Sequence, residues 1–192
     1  VNQSPHILDL LLWFMGPVDE LAGYWANLNH PEIEVDDTAV ASLRFRNGGL
    51  GTIVVSNSQN PGLYGKVHVH GHNGASIGVQ PEGGAMFIAG VTSMAEPPGN
   101  DLWTIPGEAH LLSEWQAADT ARFHGMDAVQ HYFDRQVEDF LRAILAWRPP
   151  LVTGQDGRAT VEVFTAIYES QRTGLPVGFP VSPDANSEGS HF

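Results

Sequence analysis

The sequence predicts an α+β fold, an open, mostly antiparallel sheet with helices packed on one face. Three observations carry this. Two stretches alternate side chains about an Asn-Gly pair, two later stretches space apolar residues at helical intervals, and the opening stretch places helix start and stop signals around an apolar run. Consecutive hairpins give antiparallel pairing, and a one-sided helix needs a sheet face to cover.

The first element is the helix in "NQSPHILDLLLWFMGPV". Ser4 can cap it, Pro5 suits the first helical position because its missing N–H would be unpaired there anyway, and Gly16-Pro17 closes it. The predicted span is Pro5 to about Met15. Ile7, Leu8, Leu10, Leu11, Leu12, Phe14 and Met15 run nearly all round, which predicts burial on most sides, with His6 and Asp9 as polar exceptions. Val1 is no initiator residue and a helix starts almost at once, so a preceding segment is expected.

From Val18 to about Gly90 the pattern is that of strands. "TAVASLRFRNGGLGTIVVSN" puts Ala39, Ala41, Leu43 and Phe45 on one face and Thr38, Val40, Ser42 and Arg44 on the other, with Asn47-Gly48 at the turn. "LYGKVHVHGHNGASIGVQ" repeats the scheme around Asn73-Gly74. Between about Val91 and Met126 periodicity fails, and "AEPPGNDLWTIPGEAHLLSEWQ" is expected to be a long functional loop. Helical spacing returns in "HYFDRQVEDFLRAILAW" through Phe133, Val137, Phe140, Leu141, Ile144 and Leu145, a stripe expected to pack on the sheet. A last helix runs from about Gly157 to Arg172, preceded by Asp156 and closed by Gly174. Residues 1–181 are expected to form one domain, and the tail 182–192, "SPDANSEGSHF", to be disordered for want of anything to bury.

Charge and composition remove several classes of function. With 22 acidic against 9 basic residues and a formal net charge of −13, the chain is repelled by nucleic acid and by anionic membranes. It has no Cys, so neither disulfides nor thiolate chemistry arise, and no apolar run long enough to span a bilayer. A cytoplasmic location is the expectation.

Three groups of residues could carry chemistry. His6 lies in the first turn of a helix, where the dipole favours the uncharged imidazole, and an uncharged imidazole can accept a proton; the alternative is a packing role at a helix end. Asn2, four residues earlier, could project toward the same mouth. His68, His70 and His72 alternate along a strand, and His68 with His70 could meet a metal ion. No carboxylate follows until Glu82, so a polar sheet face or subunit contact is preferred and no metal is assigned. Trp103, Trp115, Arg122 and His124 offer the rings and donors that a polyhydroxylated ligand would use, though Trp residues also clamp long loops onto their own domain.

The opening segment, together with "HGHNGASIGV", "QVEDFLRAILAWRPPLVTGQDGRATVEVFTAIYESQRTGLPV" and the hairpins between them, resembles the C-terminal half of the glucose-fructose oxidoreductase and inositol dehydrogenase family, Gfo/Idh/MocA, over residues 1 to about 181. The resemblance implies an NAD(P)-dependent dehydrogenase whose Rossmann domain is absent from this sequence, which agrees with the lack of a GxGxxG motif. It implies that His6 stands at the substrate hydroxyl near the nicotinamide and that a Lys of the other domain assists. Many members carry an Asp four residues before the His; Asn2 stands there instead, able to orient a hydroxyl or the cofactor carboxamide but not to take a proton. It also implies that NAD or NADP is bound mainly by the other domain, that the substrate is a small sugar or polyol, and that the open sheet face joins subunits into a homo-oligomer. The expected function is therefore that of the substrate-binding and oligomerising domain of a sugar or polyol oxidoreductase. A metal-binding β-protein using His68 and His70, and a non-catalytic assembly module of the same fold, are the alternatives.

Overall fold

The computed structural model describes residues 4–58, 65–80 and 99–181. Asn2, the tail 182–192 and the stretch from 81 to 98 therefore lie outside the described residues. In chain order the elements are α1 (Pro5–Met15), β1 (Val18–Ala26), β2 (Thr38–Phe45), β3 (Leu50–Ser56), β4 (Val67–His70), β5 (Ser76–Gln80), β6 (Gly99–Trp103), α2 (Leu111–Phe123), α3 (Ala128–Leu145), α4 (Gly154–Thr173) and β7 (Val177–Gly178). The class is α+β, as expected, and every described strand pair is antiparallel. The strands divide into two sheets, ordered β3-β2-β1-β7 and β4-β5-β6. These sheets belong to two compact units, the first built from residues 4–58 and 154–181, the second from 65–80 and 99–153.

In the first unit the alternation of β2 decides which face is core. Ala39, Ala41, Leu43 and Phe45 are all buried, and with Leu21, Ile53, Leu8 of α1 and Val163, Ala166 and Ile167 of α4 they form the apolar core. Helix α4 comes close to β1 at Gly23, where an added Cβ would meet the Val40 carbonyl oxygen at 3.0 Å and Ile167 Cγ1 at 3.4 Å. The tightest of these contacts is with the neighbouring strand β2, which glycine leaves room for. Beyond the short partner β7, which pairs only with Glu20 and Leu21, helix side chains satisfy the β1 backbone. The Gly23 amide donates to Ser170 Oγ at 3.0 Å and the Trp25 amide to Gln171 Oε1 at 2.6 Å, while the Ser170 hydroxyl donates to the Leu175 carbonyl at 2.9 Å. An otherwise open strand edge is closed in this way.

Both hairpin turns are built as the Asn-Gly pairs predict. Gly48 and Gly74 have φ of 87° and 80°, and the Asn47 and Asn73 side-chain carbonyls accept from the Gly49 and Ala75 amides. Other expectations are corrected. Ser4 occupies the position before α1 but makes no side-chain capping bond to the helix, because its backbone is already close to helical. Only Leu8 of α1 is buried and Trp13 is 78% exposed, so burial on most sides is not met.

The second unit holds the larger correction. The stretch expected to be a long loop contains β6 and α2. In α3 the apolar stripe from Phe133 to Leu145 is real but exposed, with Phe140 at 56%, so it does not pack on a sheet face as expected. Asp127 caps this helix by accepting from the Gln130 amide. At its far end Asp139 accepts from the Leu151 amide at 2.7 Å and pairs with Arg148, which holds its carboxyl below the usual range.

Candidate functional site

His6 follows Pro5 in the first turn of α1 and is exposed. No hydrogen bond or ion pair to another described residue engages its ring. Among the described residues, both ring nitrogens are thus left without a partner. Asn2, expected beside it and expected to touch the cofactor, lies outside the described residues.

The Trp residues are placed in the second unit by a β-bulge. Trp103 pairs with Ile77 and Leu102 with Gly78, but Asn100 pairs with Val79, so Asp101 is an extra residue in β6. Ile77 and Val79 share a face of β5, and the bulge therefore puts Trp103 and Asn100 on one face although they are three residues apart. Against that face lies α2, presenting Trp115, Ala118 and Asp119 at helical spacing. Together these five residues line an open pocket of about 320 Å³. The two indoles meet edge to face, with centroids 4.6 Å apart at 83°, and the Trp103 indole N–H donates to Glu108 at 3.2 Å. Trp103 and Trp115 are thus brought together, a contact that a ligand platform and a clamp within the unit would both show. Arg122 and His124 do not line this pocket: the Arg122 guanidinium lies over the Phe123 ring at 5.5 Å, and His124 ends α2 in extended conformation.

The same bulge turns Asp101 toward the opposite face of the small sheet. There His68 reaches over β5 to Asp101 at 3.0 Å, and Lys66 pairs with the same oxygen at 2.9 Å. The crossing depends on Gly78, where a Cβ would lie 2.5 Å from Asp101 Oδ1 and 2.6 Å from His68 Cδ2. Burial raises the Asp101 carboxyl, but hydrogen bonds from Lys66 and His68 outweigh it and hold the group below its ordinary value. His70 is engaged elsewhere, with Ser76 Oγ at 2.7 Å. Among the described residues no group of three or more His, Asp or Glu side chains is placed to hold a metal ion.

A further polar cluster, not foreseen from the sequence, lies in the first unit where the β1–β2 loop meets α4. Asp37 is buried, and its Oδ2 accepts from the Leu28 and Asn29 amides and from His30 Nδ1. Burial raises this carboxyl, yet those bonds together with Ser58 bring it far below the usual range. Neighbouring Asp36 accepts a very short hydrogen bond from the Tyr168 hydroxyl, and the phenol, desolvated and facing that carboxylate, is pushed up to about 12. The signal in the sequence was the pair Asp36-Asp37 directly ahead of an apolar strand, where two carboxylates need donors.

The fold is thus an α+β one, with an exposed His in the first turn of a helix in the first unit and an aromatic pocket in the second. Residues 1–179 match the oxidoreductase family, C-terminal alpha/beta domain (GFO_IDH_MocA_C), and the chain belongs to that family. Among solved structures it is similar to the WlbA dehydrogenase from Bordetella pertussis in complex with NADH and UDP-GlcNAcA, with 26% identity and a TM-score of 0.67 over 94% of this chain and 47% of that one. The fold is shared also with a myo-inositol dehydrogenase from Corynebacterium glutamicum, at 21% identity and a TM-score of 0.57 over 94% of this chain and 49% of that one. The chain spans about half the length of these proteins. No curated protein matches it. The described residues do not by themselves fit a dinucleotide: the pairing is antiparallel throughout, and no glycine-rich loop leads from a strand into a helix start. No described helix is long and apolar enough to cross a membrane.

Proposed function

We propose that this chain is the substrate-binding and oligomerising domain of a cytoplasmic NAD(P)-dependent oxidoreductase acting on a sugar or polyol hydroxyl, inactive without a dinucleotide-binding domain. The observation that carries the reading is His6, exposed and unengaged by the described residues in the first turn of α1, inside a chain that belongs to an oxidoreductase family. In this reading the substrate hydroxyl gives its proton to the His6 imidazole; accepting the hydride from the same carbon is the chemistry that a nicotinamide supplies. Asn2 orients the hydroxyl or the cofactor carboxamide. The NADH and UDP-GlcNAcA bound to the Bordetella pertussis relative support both the cofactor class and the substrate class.

Oligomerisation is supported by the uncovered face of the larger sheet. Tyr24, Val40 and Val54 lie in one row across β1, β2 and β3 and are 71%, 41% and 69% exposed. An apolar row of this kind on an open sheet is suited to a matching surface on a second copy.

The reading is tested on the isolated chain by calorimetry with NADH and by assay with sugars and polyols. Neither binding nor turnover is expected, because the described residues form no phosphate cradle. Micromolar binding of NADH to this chain would overturn it.

A further inference from the structure

We propose that the pocket between β6 and α2 binds a sugar or cyclitol ring that carries a protonated amine. The site lies wholly in the second unit and needs neither His6 nor a dinucleotide, so it stands or falls apart from the dehydrogenase reading.

The pocket combines three features. Its wall is the edge-to-face pair Trp103 and Trp115, which offers flat apolar surface to the C–H face of a six-membered ring. Its donors and acceptors are unspent: the Asn100 side-chain amide and the Trp115 indole N–H make no hydrogen bond with the described residues. Among the described residues its one charged lining group is Asp119, on the same face of α2 as Trp115, and no cation of those residues neutralises it. Arg122 stands three residues further on, at a spacing that could pair with Asp119, yet its guanidinium lies over the Phe123 ring.

Charge then selects the ligand. A carboxylate and two indole rings each attract a cation, the first by its charge and the second by the negative face of the ring, and the chain carries a net charge of −13. A sugar acid or phosphate would meet repulsion from Asp119, with no basic lining residue among the described residues to offset it. A neutral ring keeps the stacking and the hydroxyl contacts but forgoes the ionic one. The volume of about 320 Å³ suits one ring rather than an oligosaccharide.

The test is calorimetric titration of the 192-residue chain with glucosamine, glucose and glucuronate, which share a ring and differ in charge. Glucosamine should bind about tenfold more tightly than glucose, and glucuronate most weakly. Asp119→Asn should abolish the preference for glucosamine over glucose, and Trp115→Ala should weaken both. Glucose binding as tightly as glucosamine, no saturable binding of glucosamine, or an Asp119→Asn chain that keeps the preference would each overturn the proposal. If a variant does not fold, the order of the three ligands on the parent chain decides the matter.

Discussion

Asp37 shows how one side chain can hold a loop and make it sensitive to acid. Its Oδ2 gathers the Leu28 and Asn29 amides and the His30 ring, and the Asn27 side chain fastens the same loop by bonds to the His30 and Ile33 carbonyls. Because folding depresses the Asp37 pKa, its contribution to stability is complete above the ordinary carboxylate range and is lost as pH falls through the folded value. Urea midpoints measured from neutral to acid pH should therefore decline in the parent, and Asp37→Asn should start lower and decline less. Equal slopes would show that Asp37 is not the group responsible. Tyr168 has the opposite sign: its raised pKa contributes stability below about 10, lost as pH rises through about 12.

Among the elements, the contact of α4 with β1 rests on a small number of polar atoms. Ser170 is buried, and its hydroxyl serves both the Gly23 amide and the Leu175 carbonyl. Ser170→Ala should cost about 1–3 kcal/mol, the usual penalty for leaving buried backbone groups unpaired, as read by chemical denaturation. At this scale much was legible. Pro5 and Gly16-Pro17 bracket α1, and alternation with an Asn-Gly pair marks each hairpin, because these signals are local. β6 was hidden because its bulge breaks the two-residue period, and α2 because its apolar residues do not gather on one face. For α3 the spacing identified the apolar stripe, but spacing does not say what covers a stripe.

This chain of the Gfo/Idh/MocA oxidoreductase family carries a helix mouth and an open sheet face in its first unit and an aromatic pocket in its second. His6 was legible because helix start signals fix its position, and Trp103 with Trp115 because bulky rings in an acidic, irregular stretch are conspicuous. Asn100 and Asp119 were not, since their meeting depends on a bulge in β6 and on α2 lying against it. Arg122 and His124 were chosen by residue type, and type does not fix direction. The row Tyr24, Val40 and Val54 should make the chain a dimer or larger in light scattering, with Val54→Glu shifting it toward monomer; a monomer mass for the parent would exclude that interface. The central claim is the proton-accepting role of His6, and its most direct test is the turnover of a sugar or polyol by this domain joined to a dinucleotide-binding domain, with and without His6→Ala. Turnover should fall roughly a hundredfold or more with cofactor affinity nearly unchanged, the typical worth of a positioned general base. A His6→Ala enzyme with parental turnover would contradict the claim.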